Sequence, residues 1–290
     1  MQKEPLTLES LVENARKGDR DALEAVVRRI QDSVYGLALR MLWHPADAED
    51  ASQEILIKVV THLSTFRGES AFTTWVYRIA SNFLLTTRRR RAEQEEVTFE
   101  QFAAQLNKGL SDEPFRVSSD VDHKLLIEEV KIGCTHGMLL CLDREHRLAY
   151  ILGEIFEVTS NEGAYILGVA PAAFRKRLSR ARNRIRNFMQ RNCGLVNSAN
   201  PCRCTGRVKR AIELERVDPK KLLFATHPVN ARREPNTLER VREMRELQGA
   251  AAVFRSHPDY AAPGAFVEAV RKLISSGQFK VLGGERPQRA

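Results

Sequence analysis

Two groups of residues in this sequence have types and spacings that could do chemistry. The first follows Pro171. Residues 172–192 carry eight basic side chains and no acid, and Arg175, Lys176, Arg177, Arg180, Arg182, Arg184 and Arg186 recur at helical spacing. A DNA major groove admits one α-helix, and the first turns of that helix reach base edges. By that geometry Ala172, Ala173, Lys176 and Arg180 face bases, and Arg182, Arg184 and Arg186 meet phosphates. A guanidinium paired with guanine gives about 1–3 kcal/mol of discrimination, and phosphate contacts weaken steeply with salt. The second group is five cysteines, Cys134, Cys141, Cys193, Cys202 and Cys204. Thiolates at short loop spacing suit tetrahedral zinc, with His136 or His123 available to complete a site. Thiol redox sensing and inert burial fit the same residues, and Cys134 and Cys141 suit small core positions. Cys202 and Cys204, in a polar Pro-Cys-Arg-Cys loop, favour a ligand or redox role. No His-Glu-x-x-His, nucleophile elbow or pair of catalytic carboxylates accompanies them, so the expectation is a protein that is not an enzyme and requires no cofactor, zinc being the one candidate.

The elements that position these groups read as helices throughout. The chain has 290 residues, a net charge of +9, a pI near 9.5 and 43% hydrophobic residues, enough for two or three small cores. No apolar run nears the roughly 18 residues of a membrane span. The first residues lack a signal-peptide stretch, so the expectation is a cytoplasmic protein with no membrane insertion. The charge is unevenly distributed: −2 over residues 1–87, +4 at Arg88 to Arg91, −7 over 93–129, and +8 over 193–290. Two basic elements flanking an acidic stretch predict nucleic-acid contacts at two places.

In residues 1–92, Leu23, Val26, Val27, Ile30, Val34, Leu37 and Met41 mark one buried helix face, ended by Trp43-His44-Pro45. A second helix from about Ala46 to Leu63 opens with Asp47, Glu49 and Asp50 at its positive end. After a loop at Phe66–Ser70, a third runs from about Ala71 through Trp75 and Phe83 into the arginines. Residues 93–121 lose periodicity and read as an acidic linker. Helical spacing resumes over 122–192, where Thr159-Ser160-Asn161-Glu162 starts a short helix, Gly168 ends it and Pro171 starts the basic one. That is the layout of a helix-turn-helix. Residues 193–290 form a cysteine-containing extension with helices near 237–255 and 262–275, expected to pack on the preceding module or on each other. The fold class expected is therefore all-α: two small helical domains, an acidic linker and a helical extension.

Several runs give this pattern a family likeness. Asp47-Ala48-Glu49-Asp50-Ala51-Ser52-Gln53-Glu54, Phe66-Arg67-Gly68-Glu69-Ser70-Ala71-Phe72 and Thr74-Trp75-Val76-Tyr77-Arg78-Ile79-Ala80 resemble region 2 of the extracytoplasmic-function sigma factors of bacterial RNA polymerase. Tyr165-Ile166-Leu167-Gly168-Val169 and Arg177-Leu178-Ser179-Arg180-Ala181-Arg182 resemble region 4. The resemblance implies a transcription initiation factor whose partners are core RNA polymerase, promoter DNA and an anti-sigma factor. It implies that Asp50, Gln53 and Glu54 contact the polymerase largest subunit. It implies that Phe66, Ser70, Thr73, Thr74, Trp75, Arg78, Asn82, Arg88 and Arg89 serve the minus-10 element. Ala172, Ala173, Arg175, Lys176, Arg177, Arg180 and Arg182 would serve the minus-35 element. Trp75 also fits plain core packing. The alternative is a stand-alone helix-turn-helix regulator that never touches polymerase. Where relatives carry an acid soon after Asn82, this chain has Leu84-Leu85-Thr86-Thr87, and its basic helix opens Ala-Pro-Ala-Ala-Phe.

Overall fold

The computed structural model describes residues 6–87, 97–108, 120–225, 246–264, 266, 268, 269, 271 and 272. Every element among them is helical. The chain divides into two compact units, one of residues 1–88, 165–168 and 259–290 and the other of 89–164 and 169–258.

In the first unit, α1 (Leu8–Arg16), α2 (Arg20–Leu42), α3 (Pro45–Thr61) and α4 (Phe72–Thr86) enclose one core. Asp19 caps α2, its carboxylate accepting from the backbone N–H of Asp21 and Ala22 at 3.0 Å. Trp43, with φ of +72°, turns the chain out of α2, and Pro45 opens α3. The expected apolar face of α2 is inside, with Val27, Val34, Leu37 and Met41 fully buried. Helix α3 contributes Ala48, Ala51, Ile55 and Val59 to the same core.

The C-terminal segment joins this first core, which the periodicity of residues 262–275 did not foretell. Tyr260 lies under the Arg40 guanidinium, 4.5 Å from the ring centre, and Phe266 meets Tyr35 edge-on at 6.1 Å. Phe266 is 1% exposed. The backbone N–H of Ala262 donates to Asp32 Oδ1 at 2.9 Å, and Arg271 pairs with Glu24 at 2.7 Å. Hydrogen bonds from Arg271 and then Arg28 hold the Glu24 carboxyl down at about 2.

The second unit holds α5 (Phe99–Asn107), α6 (Asp120–Leu140), α7 (Arg144–Tyr150), α8 (Ser160–Leu167, of which its last three residues belong to the first unit), α9 (Pro171–Asn192), α10 (Val208–Glu213) and α11 (Glu246–Arg255). Helix α7 runs on through a wide π turn, Ile151–Ile155. Helix α5 corrects the reading of residues 93–121 as aperiodic. Thr98 and Gln101 form a reciprocal capping box, and Phe102 and Leu106, one turn apart, are both 7% exposed. The extension packs here as well, through residues before Asp259. Glu129, buried on α6, accepts from the backbone N–H of Leu223, Phe224 and Ala225 at 2.7–2.9 Å. Val208 and Val217 close a small core with Leu126 and Val130. The expected helix over 237–255 is described only from Glu246, and residues 237–245 lie outside the described residues.

Candidate nucleic-acid interface

Helices α8 and α9 are joined as a helix-turn-helix requires. Thr159 and Glu162 cap α8 reciprocally, the Thr159 N–H donating to Glu162 Oε2 at 2.8 Å and the Glu162 N–H to Thr159 Oγ1 at 3.3 Å. Gly168 supplies the left-handed turn, φ +64°. A Cβ on Gly163 would meet the Phe174 ring at 2.3 Å, so glycine there lets the helix seat on a fully buried phenylalanine. Phe174, Ala181, Ile185, Phe188 and Met189 form the inner face of α9. The outer face presents Ala172, Arg175, Lys176, Arg180 and Arg184, all exposed, with Ala173 half-buried.

The cations of α9 divide into two sets. Arg177 pairs with Glu145 at 2.9 Å, and Arg184 lies 4.0 Å from Asp143. Arg182 donates to Glu154, whose side chain is 8% exposed, through Nε at 3.0 Å and more closely through Nη2. Through this pair the Arg182 guanidinium joins α9 to the π turn. The Glu154 carbonyl accepts from Arg255 of α11 in turn.

In the first unit, Asp50 and Glu54 stand exposed and Gln53 half-buried on the face of α3 opposite its core residues. Phe66, Phe72 and Trp75 form an aromatic cluster with ring centres 5.2–5.6 Å apart. Trp75 and Thr74, at 9% and 5% exposure, face inward. Phe66, Ser70, Thr73, Arg78 and Asn82 keep exposed or half-exposed positions on the loop and α4. Arg88 and Arg89 lie outside the described residues.

The cysteines separate four to one. Burial pushes the Cys134 thiol well up, and Cys204, Cys193 and Cys202 push it further. Burial, then Cys193 and Cys202, raise Cys204 to about 12. The loop that carries three of them is tied down: the Gly194 N–H donates to the Cys202 carbonyl at 3.0 Å, and Asn200 Nδ2 donates to the carbonyls of Gln190 and Cys193 at 3.0 and 3.2 Å. Cys141 lies apart, its thiol donating to the Gly137 carbonyl, in a cleft of about 720 Å³ between the start of α5 and the end of α9. Among the described residues no group of three or more His, Cys, Asp or Glu is set to hold a metal ion. No helix among them is long and apolar enough to cross a membrane.

Residues 26–94 match the family profile of sigma-70 region 2. The chain is 31% identical over 185 residues to the RNA polymerase sigma-H factor of Pseudomonas aeruginosa, covering 63% of this chain and 93% of that protein. It is 33% identical over 190 residues to the ECF RNA polymerase sigma-E factor of Escherichia coli K12, covering 64% of this chain and 96% of the relative. The Haemophilus influenzae sigma-E factor is 32% identical over 193 residues, 64% of this chain and 97% of the relative.

Proposed function

Since the chain belongs to the extracytoplasmic-function sigma factors of RNA polymerase, a family of non-enzymatic transcription initiation factors, we propose the following division of labour among its residues. Helix α3 docks on core polymerase through Asp50, Gln53 and Glu54. Phe66, Ser70, Thr73, Arg78 and Asn82, followed by Arg88 and Arg89, serve the minus-10 element. Helix α9 enters the minus-35 major groove with Ala172, Ala173, Lys176 and Arg180, while Arg175 and the exposed arginines beyond hold phosphates. The protein acts in the cytoplasm, where its polymerase is. Bond-making belongs to the polymerase, so this chain supplies affinity, register and base choice.

The observation that carries this reading is the sorting of α9, whose leading cations stay exposed while Arg182 is engaged by Glu154. A stand-alone regulator would share α9 but has no use for an exposed acidic face on α3. The test is run-off transcription with purified core polymerase. Core-dependent, promoter-specific transcripts are expected, and Asp50→Ala combined with Gln53→Ala abolishes them without unfolding the chain. Promoter binding without polymerase, and no transcripts with it, would favour the stand-alone regulator.

Cys134, Cys193, Cys202 and Cys204 extend the proposal to a metal: they are an all-sulfur donor set of the kind that suits tetrahedral zinc. Burial first, and the neighbouring thiols after it, raise Cys134 and Cys204, and a divalent ion would stabilise the thiolate form that both disfavour. A metal there would brace the end of α9 against α6. An anti-sigma factor is a further candidate partner, for which α3 is the face to test.

A further inference from the structure

The outer face of α9 carries cations well past the turns that one groove takes up. A helix rises about 1.5 Å per residue, so Arg184 lies about 20 Å and Arg191 about 30 Å along the axis from Pro171. A major groove about 12 Å wide accommodates only the leading turns. Arg184, Asn187 and Arg191 follow one another at helical steps of three and four, so they share one face, and all three are exposed. That face is one wall of the cleft of about 720 Å³ that also holds Cys141, a volume in the range of small-ligand pockets. Every residue that lines it belongs to the second unit.

The lining has a cationic part and an apolar part. Arg144, Arg147, Arg184 and Arg191 stand against two carboxylates, Glu100 and Asp143. Two of these six charges serve the fold itself. Arg147, 3% exposed, donates to the carbonyls of Leu139 at 3.0 Å and Leu142 at 2.9 Å. Asp143 caps α7, accepting from the His146 backbone N–H at 3.0 Å, with His146 Nδ1 2.7 Å from its other oxygen. The remaining cations outnumber Glu100 three to one. Arg184 stands 4.0 Å from Asp143, long for an ion pair, and Arg191 makes no ion pair among the described residues. The apolar part is Phe99, half-buried at the start of α5, with Val97 and Leu140.

We propose that this cleft binds a nucleoside polyphosphate, its phosphates on Arg184, Asn187 and Arg191 and its base against Phe99. Guanidinium forks match phosphate oxygens and stay charged at any physiological pH. Two of them on one helix face, seven residues and about 10 Å apart, suit a chain of phosphates better than a single one. A concave wall of one sign, backed by apolar groups, concentrates its field on an anion as an arginine on a convex surface does not. Any base has a π face to lay on an aromatic ring. A wholly polar anion such as citrate would leave Phe99 and Leu140 unused. The inference stands on the geometry of the second unit and not on the sigma-factor reading.

Calorimetric titration of the full-length chain tests it with four probes: ATP, inorganic triphosphate, citrate and an oligothymidylate. ATP is expected to bind at one site per chain, at least tenfold tighter than citrate. Arg191→Ala weakens both ATP and triphosphate at least tenfold, and Arg191→Gln repeats that test should Arg191→Ala fail to fold. Arg175→Ala removes the same charge from the leading turns of α9, outside the cleft, and changes ATP binding less than twofold. Phe99→Leu weakens ATP at least threefold and leaves triphosphate unchanged, which separates the base from the phosphates. Absence of ATP binding, or equal losses in Arg175→Ala and Arg191→Ala, would overturn the site, the latter because the anion then meets the basic helix at large. ATP bound no tighter than triphosphate, or unaffected by Phe99→Leu, would overturn the nucleotide. Oligothymidylate binding that depends on Arg191 and Phe99, with ATP binding that does not, would assign the cleft to a nucleic-acid strand instead.

Discussion

Arg182 and Glu154 form the one ion pair of α9, among the described residues, in which the carboxylate is buried: Glu154 is 8% exposed on its side chain and Arg182 41%. The pair joins the basic helix to the π turn that precedes the helix-turn-helix, so the most basic stretch of the sequence carries one cation whose task is internal. Arg182→Ala leaves a buried carboxylate without this partner and is expected to destabilise the second unit by about 1–3 kcal/mol, toward the lower end because the arginine stays partly in water. The salt dependence of minus-35 duplex binding should then keep its slope. Arg175→Ala should leave stability nearly unchanged and lower the slope by about 0.9 for the phosphate no longer neutralised, whereas Arg180→Ala or Lys176→Ala should relax base preference by about 1–3 kcal/mol at the position each reads. Thermal melts and DNA titrations at several salt concentrations separate the two sets; an equal slope change for Arg182→Ala would place its guanidinium on DNA after all.

The sequence made the helix-turn-helix legible because its signals are local. Thr159 with Glu162, Gly168 and Pro171 each act within a few residues, and each sits in the structure where its chemistry requires. Helix α5 was not read from the sequence, although Thr98 and Gln101 offered its cap, because the acids around this short helix hid its pattern. The fate of Arg182 was not readable from α9, since its partner Glu154 lies 28 residues earlier and shares no local period with it. The docking of residues 259–272 on α2 was likewise hidden: amphipathic spacing says that Phe266 is buried and leaves open against which core. The four neighbouring thiols come from α6 and a loop 59 to 70 residues later, so their spacing alone could not exclude Cys141 from the set.

Zinc binding at the four thiols makes a direct prediction. The purified chain should carry about one zinc per molecule, and Cys202→Ser or Cys204→Ser should abolish it while Cys141→Ser retains it. Cobalt substitution should give the intense visible bands of tetrahedral thiolate coordination, absent from the same variants. Four freely alkylated cysteines at this cluster in the native, untreated chain would rule the metal out and leave a reduced thiol cluster.

Cys141 reports on pH instead. Burial pushes its thiol from 9.0 up to about 12, with Arg147 opposing and Glu100 adding to the rise. The folded state therefore holds a proton that the unfolded chain releases above pH 9. By linkage its contribution to stability is complete below pH 9 and is lost as pH rises from about 9 towards 12. Urea melts of the wild type and Cys141→Ala at pH 7.5 and about pH 10 should show a smaller alkaline loss in the variant. Identical losses would mean that the thiol titrates as it does in the unfolded chain.

The tail docked on α2 is held in two different ways, and they should respond differently. Phe266 and Tyr260 are buried at 1% and 7% exposure, whereas Arg271 and Glu24 meet in water at the edge. Burial of an aromatic ring outweighs an exposed ion pair, which side-chain entropy and salt largely cancel. Phe266→Ala is therefore expected to free the segment after Asp259 to limited proteolysis at least tenfold faster than wild type, while α1 to α4 stay folded on the apolar residues that they bury among themselves. Glu24→Gln should change the rate little, and less still at high salt. The Glu24 carboxyl, held near 2, keeps its pair charged throughout the neutral range, so acid would have to approach that value before the pair is neutralised. A tail released as readily by Glu24→Gln as by Phe266→Ala would mean that the arginine, and not the aromatic pair, is the anchor.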